Sequence, residues 1–412
     1  MIRRSSRWGG SVNYPKLRPI ERVQTPVGSD AVLSFRDPTG LATAVLSLSA
    51  PLAYAVSLMD GTHSREDIQA RFMLRLGRML FSDELDQLIA QLDEACFLEG
   101  ARADRARAVR RESYRAMPHR ALRNAGSLAG DNGPLEPLLD RLLAPGNVRR
   151  EPVVGLVAPH LDYPRGEPCY RSAYAGLAER TAARRFVILG TNHFGESAAV
   201  VGTRKDFETP WGVVRHDADF MRALDAALGH DLCELETDHI REHSVELQVV
   251  LLRRALGDRP FVIVPYLCPD PCGPTGTRPR QGDGPDLRQF AEALGRLIAS
   301  DPTPTFIVAG ADLSHVGPYF SDDHPLDADG LAKLRDSDLA ALRPLESGDA
   351  EGFRTAVAAT GNATNICSVG CIYAAAVALA GRARAVRRNY HQAVTRELGN
   401  CVTCAAFDFI PV

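Results

Sequence analysis

Two histidines stand at the same point of two successive apolar runs: VAPHLDYP places His160 and GTNHFGE places His193, 33 residues later. A third such exit, AGADLSHVG, carries Asp312, Ser314 and His315. One loop histidine bonded to a carbonyl is commonplace, but three at equivalent exits point to a shared site. Neutral imidazole is the commonest metal donor, and side chains at separate strand ends let the backbone set the donor geometry. Two imidazoles need a third donor, and Glu246 in REHSVELQ, Asp312, and Cys367 in NATNICSVG all qualify. Cys367 precedes an apolar helical pattern over 368–380. The positive end of that helix would favour the thiolate, which binds metal or attacks substrate, although a small buried apolar role fits the residue as well. His243 and Glu246 stand three apart at the start of an amphipathic pattern. That spacing predicts either a pair on one face, supporting a ligand or moving protons with His243 titrating near neutrality, or a simple capping pair.

The remaining cysteines carry less. Cys401 and Cys404 form CxxC, but strand residues three apart face opposite sides, which argues against joint chelation. Cys268 and Cys272 border the Gly- and Pro-rich stretch 270–285 and read as incidental. Neither GxGxxG nor GxxxxGK[ST] occurs, which disfavours a nucleotide cofactor.

Positioning these residues requires strands that end together. Apolar strand patterns at 153–157, 186–189, 261–266 and 305–309 alternate with helical patterns at 169–180, 220–228, 244–256 and 286–298. That alternation predicts an α/β domain over 151–412, a largely parallel sheet flanked by helices, with ligands gathered beyond the carboxyl ends of its strands. Two late strand patterns, 385–390 and 402–409, are expected to pair as a hairpin at a sheet edge. Residues 17–100 read as a separate small α+β unit, a β-hairpin around Asp37-Pro38-Thr39-Gly40 followed by three helices. The second of these opens at a Ser64/Asp67 capping box, and the third carries an apolar face of Leu85, Leu88, Ile89, Leu92 and Cys96. Residues 101–150, rich in Arg, Ala, Gly and Pro, read as a linker with one short amphipathic segment at 135–143.

The 412 residues suit about two domains. A net charge of -3 gives no reason to expect nucleic acid or an anionic membrane as partner, and the basic run 102–111 reads as a solvated helix face or linker. No stretch approaches the roughly 18 apolar residues of a membrane span, and the basic N-terminus leads into no apolar segment. A cytoplasmic protein is therefore expected, with its nine scattered cysteines reduced.

The stretches APHLDYPRG with a following YRSAYAGL, LGTNHFG, FETPWGVVRHD, EHSVELQ, ADLSHVG and NICSVG, in that order and spacing, resemble the Memo-like family, also called AmmeMemoRadiSam system protein B, over residues 119–412. The resemblance implies a fold related to class III extradiol dioxygenases. It also implies a pocket of two histidines and a cysteine, here His160, His193 and Cys367, holding an iron or copper ion, with Asp312 and His315 at further pocket positions. An extradiol enzyme of this fold uses two histidines and a glutamate, whereas a soft thiolate in the third place shifts preference toward copper(I) or toward iron with altered redox behaviour. Catechol ring opening is therefore not carried over. Two departures stand out: Cys-Gly of the family reads Cys367-Ser368, and its C-terminal Val-Val-Gly-Tyr strand reads Cys401-Val402-Thr403-Cys404. The N-terminal LMDGTHSREDIQARF is similar to PqqD-like winged-helix domains, which bind peptides beside radical SAM enzymes, though a packing or dimerisation unit fits equally.

The expected function is a metal-dependent oxidoreductase, acting alone or with a radical SAM enzyme and an AMMECR1-type partner on a small molecule or peptide. Asp312, His315, His243 and Glu246 would position substrate or move protons. A non-catalytic module that binds metal or peptide is the alternative, and a hydrolase with Cys367 as nucleophile and His315 as base is another.

Overall fold

A computed structural model describes residues 13–23, 32–126, 134–144, 151–280, 284–320 and 322–412. The chain forms two compact units, 1–116 and 117–412. In the first, β1 (Glu21–Val23), β2 (Val32–Arg36) and β3 (Leu46–Ser49) make an antiparallel sheet, followed by α1 (Ala50–Ser57), α2 (Arg65–Leu76), α3 (Ser82–Glu94) and α4 (Ala101–Ala116). The Asp37 turn is fixed from inside, because the Asp37 carboxylate accepts from the buried Arg18 at 2.6 Å and from the Thr39 and Ala42 amides. The capping box is as expected: Ser64 Oγ accepts from the Asp67 amide at 3.1 Å, and Asp67 accepts from the Ser64 amide at 2.9 Å. Leu85, Leu88, Ile89 and Leu92 form the buried face of α3, but Cys96 lies past the helix end, in a left-handed conformation with φ 60°.

Part of the stretch expected to be linker is instead α4. Its Arg- and Ala-rich composition favours helix, Ala103 and Tyr114 are buried, and Arg110 donates to the Thr39 carbonyl at 2.8 Å. The amphipathic segment after it is α5 (Leu135–Leu143), which buries Leu138, Leu139 and Leu142 in the core of the second unit.

The second unit opens with β4 (His119–Arg120) and, after α5, continues through β5 (Gly155–Ala158), α6 (Tyr163–Tyr174), α7 (Leu177–Arg180), β6 (Arg185–Thr191), β7 (Val201–Gly202), β8 (Asp206–Thr209), β9 (Gly212–Val214), α8 (Ala218–Leu228) and α9 (Ser244–Leu256). Then come β10 (Val262–Cys268), α10 (Leu287–Ser300), β11 (Thr305–Gly310), β12 (Asp312–Val316), α11 (Ala328–Glu346), α12 (Ala350–Ala359), α13 (Val369–Ala378), β13 (Ala383–Thr395) and β14 (Asn400–Pro411). The main sheet runs β12-β14-β5-β11-β6-β10-β7, with β13 on β14. Its centre, β5-β11-β6-β10, is parallel, and its flanking strands are antiparallel.

The central strands are apolar on both faces. Val157, Val187, Leu189 and Ile307 enter one core; Leu156, Phe186, Ile188 and Val308 enter the other. Such two-sided burial requires helices on both faces. The late hairpin forms, but it does not sit wholly at the edge. β14 pairs with β13 along its length and, on its other side, with β5 through Phe407–Phe409 and with β12 through Cys401 to Cys404. Within the hairpin only β13 is left as an outer strand, which explains why β14 is buried from Asn400 to Ile410.

Candidate metal centre

The three strand exits converge at the carboxyl ends of the parallel strands. β5 delivers His160, β6 delivers His193, and the turn after β11 leads into β12, which opens with Asp312. The His160 and His193 ring centroids lie 4.8 Å apart. His243, at the N-cap of α9, stands 5.3 Å from His160 and stacks on His193 at 5.0 Å. One nitrogen from each of these three rings lies within 4.8 Å of the others. The turn before α13 brings Cys367 Sγ to 3.5 Å from His160 Nε2.

Close approach of α9 to the strand ends makes this convergence possible. A Cβ on Gly190 would overlap the Ser244 side chain and Val245, and one on Gly310 would lie 2.6 Å from the Ser244 carbonyl oxygen. Glycine at the last turn of both strands therefore lets the helix start reach the site.

Each ring is fixed from its Nδ1 side. His160 Nδ1–H donates to the Gly310 carbonyl at 2.9 Å, and His193 Nδ1–H donates to Glu242 at 3.1 Å. His243 Nδ1 lies 3.4 Å from the same carboxylate, and His315 Nδ1–H donates to the Leu313 carbonyl at 3.0 Å. A carbonyl only accepts, so Nδ1 of His160 and of His315 keeps its proton, and Nε2 is the nitrogen that can offer a lone pair once it carries none. This orientation by a fixed outer acceptor is the arrangement metal-binding histidines adopt.

The charges reinforce one another. Burial alone would lower His160, but Asp312, whose Oδ2 is 3.6 Å from Nε2, and Cys367 outweigh it and hold the ring at about 9. Burial likewise opposes the charge on His193, yet Glu242 and Cys367 raise it well above the usual imidazole range. Burial would push the Cys367 thiol up; His160 and His315 reverse this and hold it far below its usual range, as a thiolate. Burial lowers His243 to about 3, the pull of Glu242 being opposed by His193 and His160. The titration near neutrality expected of His243 is thus corrected: the ring is neutral and suited to donate a lone pair. Asp312, Glu242 and Cys367 place three anionic groups around the rings, so a cation in place of the ring protons fits the donor set.

Glu246 is not part of this set. His243 is the N-cap of α9 and Glu246 its third helical residue, but the Glu246 carboxylate is drawn to partners on another element. Glu246 instead pairs with the buried Arg120 and accepts from the amides of Asn124 at 2.6 Å and Ala125 at 2.8 Å. The carboxylate that serves the site is Glu242, which sequence reasoning missed. It accepts from the His193 amide at 2.9 Å and from the His243 and Ser244 amides at 2.8 Å each. Its position just ahead of a helix start, where amides lack partners, was the available signal.

Asp312 is buried and accepts from the amides of His160 at 3.0 Å and Leu161 at 3.2 Å, fixing the loop that carries the first histidine. His315 is half-buried, edge-on to Phe320 at 5.2 Å. Ser314 points away from the cluster, donating to Asp338 at 2.6 Å.

A family model of Memo-like protein matches residues 120–405, well over half of the chain. The chain belongs to the Memo-like family. It is 26% identical over 316 residues to a MEMO1 family protein of Aquifex aeolicus, covering 76% of this chain and 78% of that one. It is 28% identical over 295 residues to a MEMO1 family protein of Thermus thermophilus, covering 71% and 83%. The Memo-like match contains the whole His–Cys cluster; the first unit lies entirely outside it.

Of the two stretches singled out in the sequence, Cys367-Ser368 borders the site and Cys401–Cys404 packs away from it. Ser368 is fully buried; its Oγ accepts from the Asp312 amide at 3.1 Å, pairs with Thr191 Oγ1 at 3.0 Å and lies 3.2 Å from Cys367 Sγ. A serine here ties β6, β12 and the cysteine turn together. Thr403 accepts from the Ser314 amide at 2.9 Å and donates to Asp338 at 2.6 Å. Cys401 packs with Val316 and Leu334 while Cys404 enters another core cluster, so the CxxC cysteines face opposite sides as their spacing predicts.

Proposed function

We propose that this Memo-like protein holds one redox-active iron or copper ion on His160, His193 and Cys367, with neutral His243 as a further donor, and oxidises a small-molecule or peptide substrate. The observation that carries this reading is the set of imidazoles fixed at Nδ1 around a thiolate. The side chains of His193 and His243 are 22% and 20% exposed against 2% for His160, so the cluster is open on one side, as a site that admits an exogenous ligand must be. A bound iron or copper ion would supply one-electron chemistry there, and the thiolate favours copper(I) or a softened iron.

The chain's own residues set the rest. Asp312 and Glu242 hold the first two histidines in place. His315, closed on its Nδ1 side by the Leu313 carbonyl, accepts or delivers a proton at Nε2 at the half-open edge. On the sequence resemblance alone, a radical SAM enzyme and an AMMECR1-type protein are the proposed partners. A cytoplasmic location is proposed too; among the described residues no helix is long and apolar enough to cross a membrane.

The 3.5 Å contact between Cys367 Sγ and His160 Nε2 favours a second reading, in which the thiolate is a nucleophile activated by its imidazolium neighbour. Oxygen and superoxide consumption by iron- or copper-loaded protein, beside the same protein treated with chelator, separates the two. Consumption that needs the metal and is lost in Cys367→Ser supports the redox reading. Ester or thioester hydrolysis that survives chelation supports the nucleophile and sinks the redox reading.

A further inference from the structure

Asp338, on α11 and outside the metal centre, is buried, and among the described residues no arginine or lysine pairs with it. Its hydrogen bonds come instead from hydroxyls on three strands: Ser314 of β12 at 2.6 Å, Thr403 of β14 at 2.6 Å and Tyr390 of β13 at 2.9 Å. Burial pushes its carboxyl up, so the group is kept at a cost. A carboxylate accepts from all three hydroxyls, whereas an amide in its place would set N–H donors against hydroxyl donors.

What these bonds hold is a bulge. Asp312 pairs with Cys404 and His315 with Val402, so Leu313 and Ser314 together oppose the single Thr403. The Ser314 amide donates to Thr403 Oγ1 at 2.9 Å, and the hydroxyls of both residues donate to Asp338. In an unbroken strand, residues three apart face opposite sides. With the bulge, Asp312 and His315 both serve the site, Asp312 beside His160 and His315 acting on Cys367. β12 in turn latches the turn that carries the cysteine. Ser314 Oγ lies 2.7 Å from Thr364 Oγ1, and the His315 amide donates to the Thr364 carbonyl at 2.8 Å. Asn362 and Asn365 in that turn are left-handed, with φ 52° and 54°, a conformation that persists where the surroundings enforce it. We propose that Asp338 is a positioning residue: it holds the β12 bulge, and through it aims His315 and fixes the turn that delivers Cys367. What those groups do rests on the proposed function; where they stand does not.

Hydrogen–deuterium exchange of the metal-free full chain, followed by absorption spectra after cobalt(II) is added, tests the proposal. In Asp338→Asn and in Ser314→Ala, the amides of His315 and residues 361–366 should exchange about tenfold faster than in wild type, while those of α10 are unchanged. Tyr390→Phe removes a donor to the same carboxylate without touching the bulge, and should match wild type. The cobalt(II) complex of Asp338→Asn should show a weaker thiolate-to-cobalt band at equal bound cobalt, because Cys367 is no longer held in place. Wild-type exchange at these amides in folded Asp338→Asn overturns the proposal. So does equal quickening in α10 or in Tyr390→Phe, which would make Asp338 a packing residue. Should Asp338→Asn fail to fold, Ser314→Ala, which keeps the carboxylate and its other two donors, decides. A wild type without the cobalt band would sink the proposed function alone, since the exchange rates still decide the positioning.

Discussion

Two buried charge clusters meet at the start of α9, and they differ in what they leave unused. Around Glu246, every strong group is consumed internally: Arg120 pairs with the carboxylate and donates to the carbonyls of His239 at 2.7 Å and Glu242 at 2.5 Å, and the remaining carboxylate capacity takes backbone amides. Four residues earlier, Glu242 fixes the Nδ1 side of His193 and so leaves Nε2 facing Cys367 and its neighbours. The first arrangement is a closed anchor for residues 120–125; the second is a ring of donors oriented by the protein but not used up by it. Burial and charge alone do not distinguish structure from site. Uncommitted, oriented lone pairs do.

Breaking the anchor should have the largest effect on stability and little on metal content. Glu246→Ala leaves the Arg120 charge buried and unpaired, with an expected loss of about 3–5 kcal/mol in chemical denaturation, while the folded fraction retains the metal of the wild type. Glu242→Gln acts on the other cluster. It should weaken metal binding by about 10–100-fold, measured by competition with a chromophoric chelator, because the acceptor that orients His193 loses its charge.

Acidity should sharpen the contrast further. His160, held at about 9, is protonated in the metal-free protein at neutral pH, and a metal must displace that proton. His193 is raised as well, so up to two protons leave and the affinity should rise by more than tenfold, and up to about a hundredfold, per pH unit between 7 and 9; a flat profile there would mean that neither His160 nor His193 is a ligand. The smallest effect is expected from Ser368→Gly. It should leave cobalt(II) stoichiometry unchanged while shifting the thiolate-to-cobalt charge-transfer band, since the hydroxyl lies 3.2 Å from Cys367 Sγ. An unshifted band would show that the hydroxyl does not act on the sulfur.

Much of this was legible in the sequence, for identifiable reasons. Strands apolar on both faces and ending in His160, His193 and Asp312 declare both the parallel sheet and the end at which ligands gather. Cys367 was marked by the helical pattern it precedes. The three-residue spacing of His243 and Glu246 cannot show which of two glutamates faces the rings, because that depends on where Arg120 is buried, 126 residues away from Glu246 in sequence. The interior place of β14 was hidden likewise, because its second edge is shared by two strands that are distant in the chain. α4 was passed over because an arginine-rich helix with few apolar residues has almost no periodic signal.

The central claim is that His160 and Cys367 hold a stoichiometric ion, and it is tested most directly by the metal content of anaerobically purified wild type beside His160→Ala and Cys367→Ser. The account predicts one iron or copper ion per wild-type chain and its loss from both variants, with melting transitions showing all three folded. Equal metal in all three proteins would contradict it.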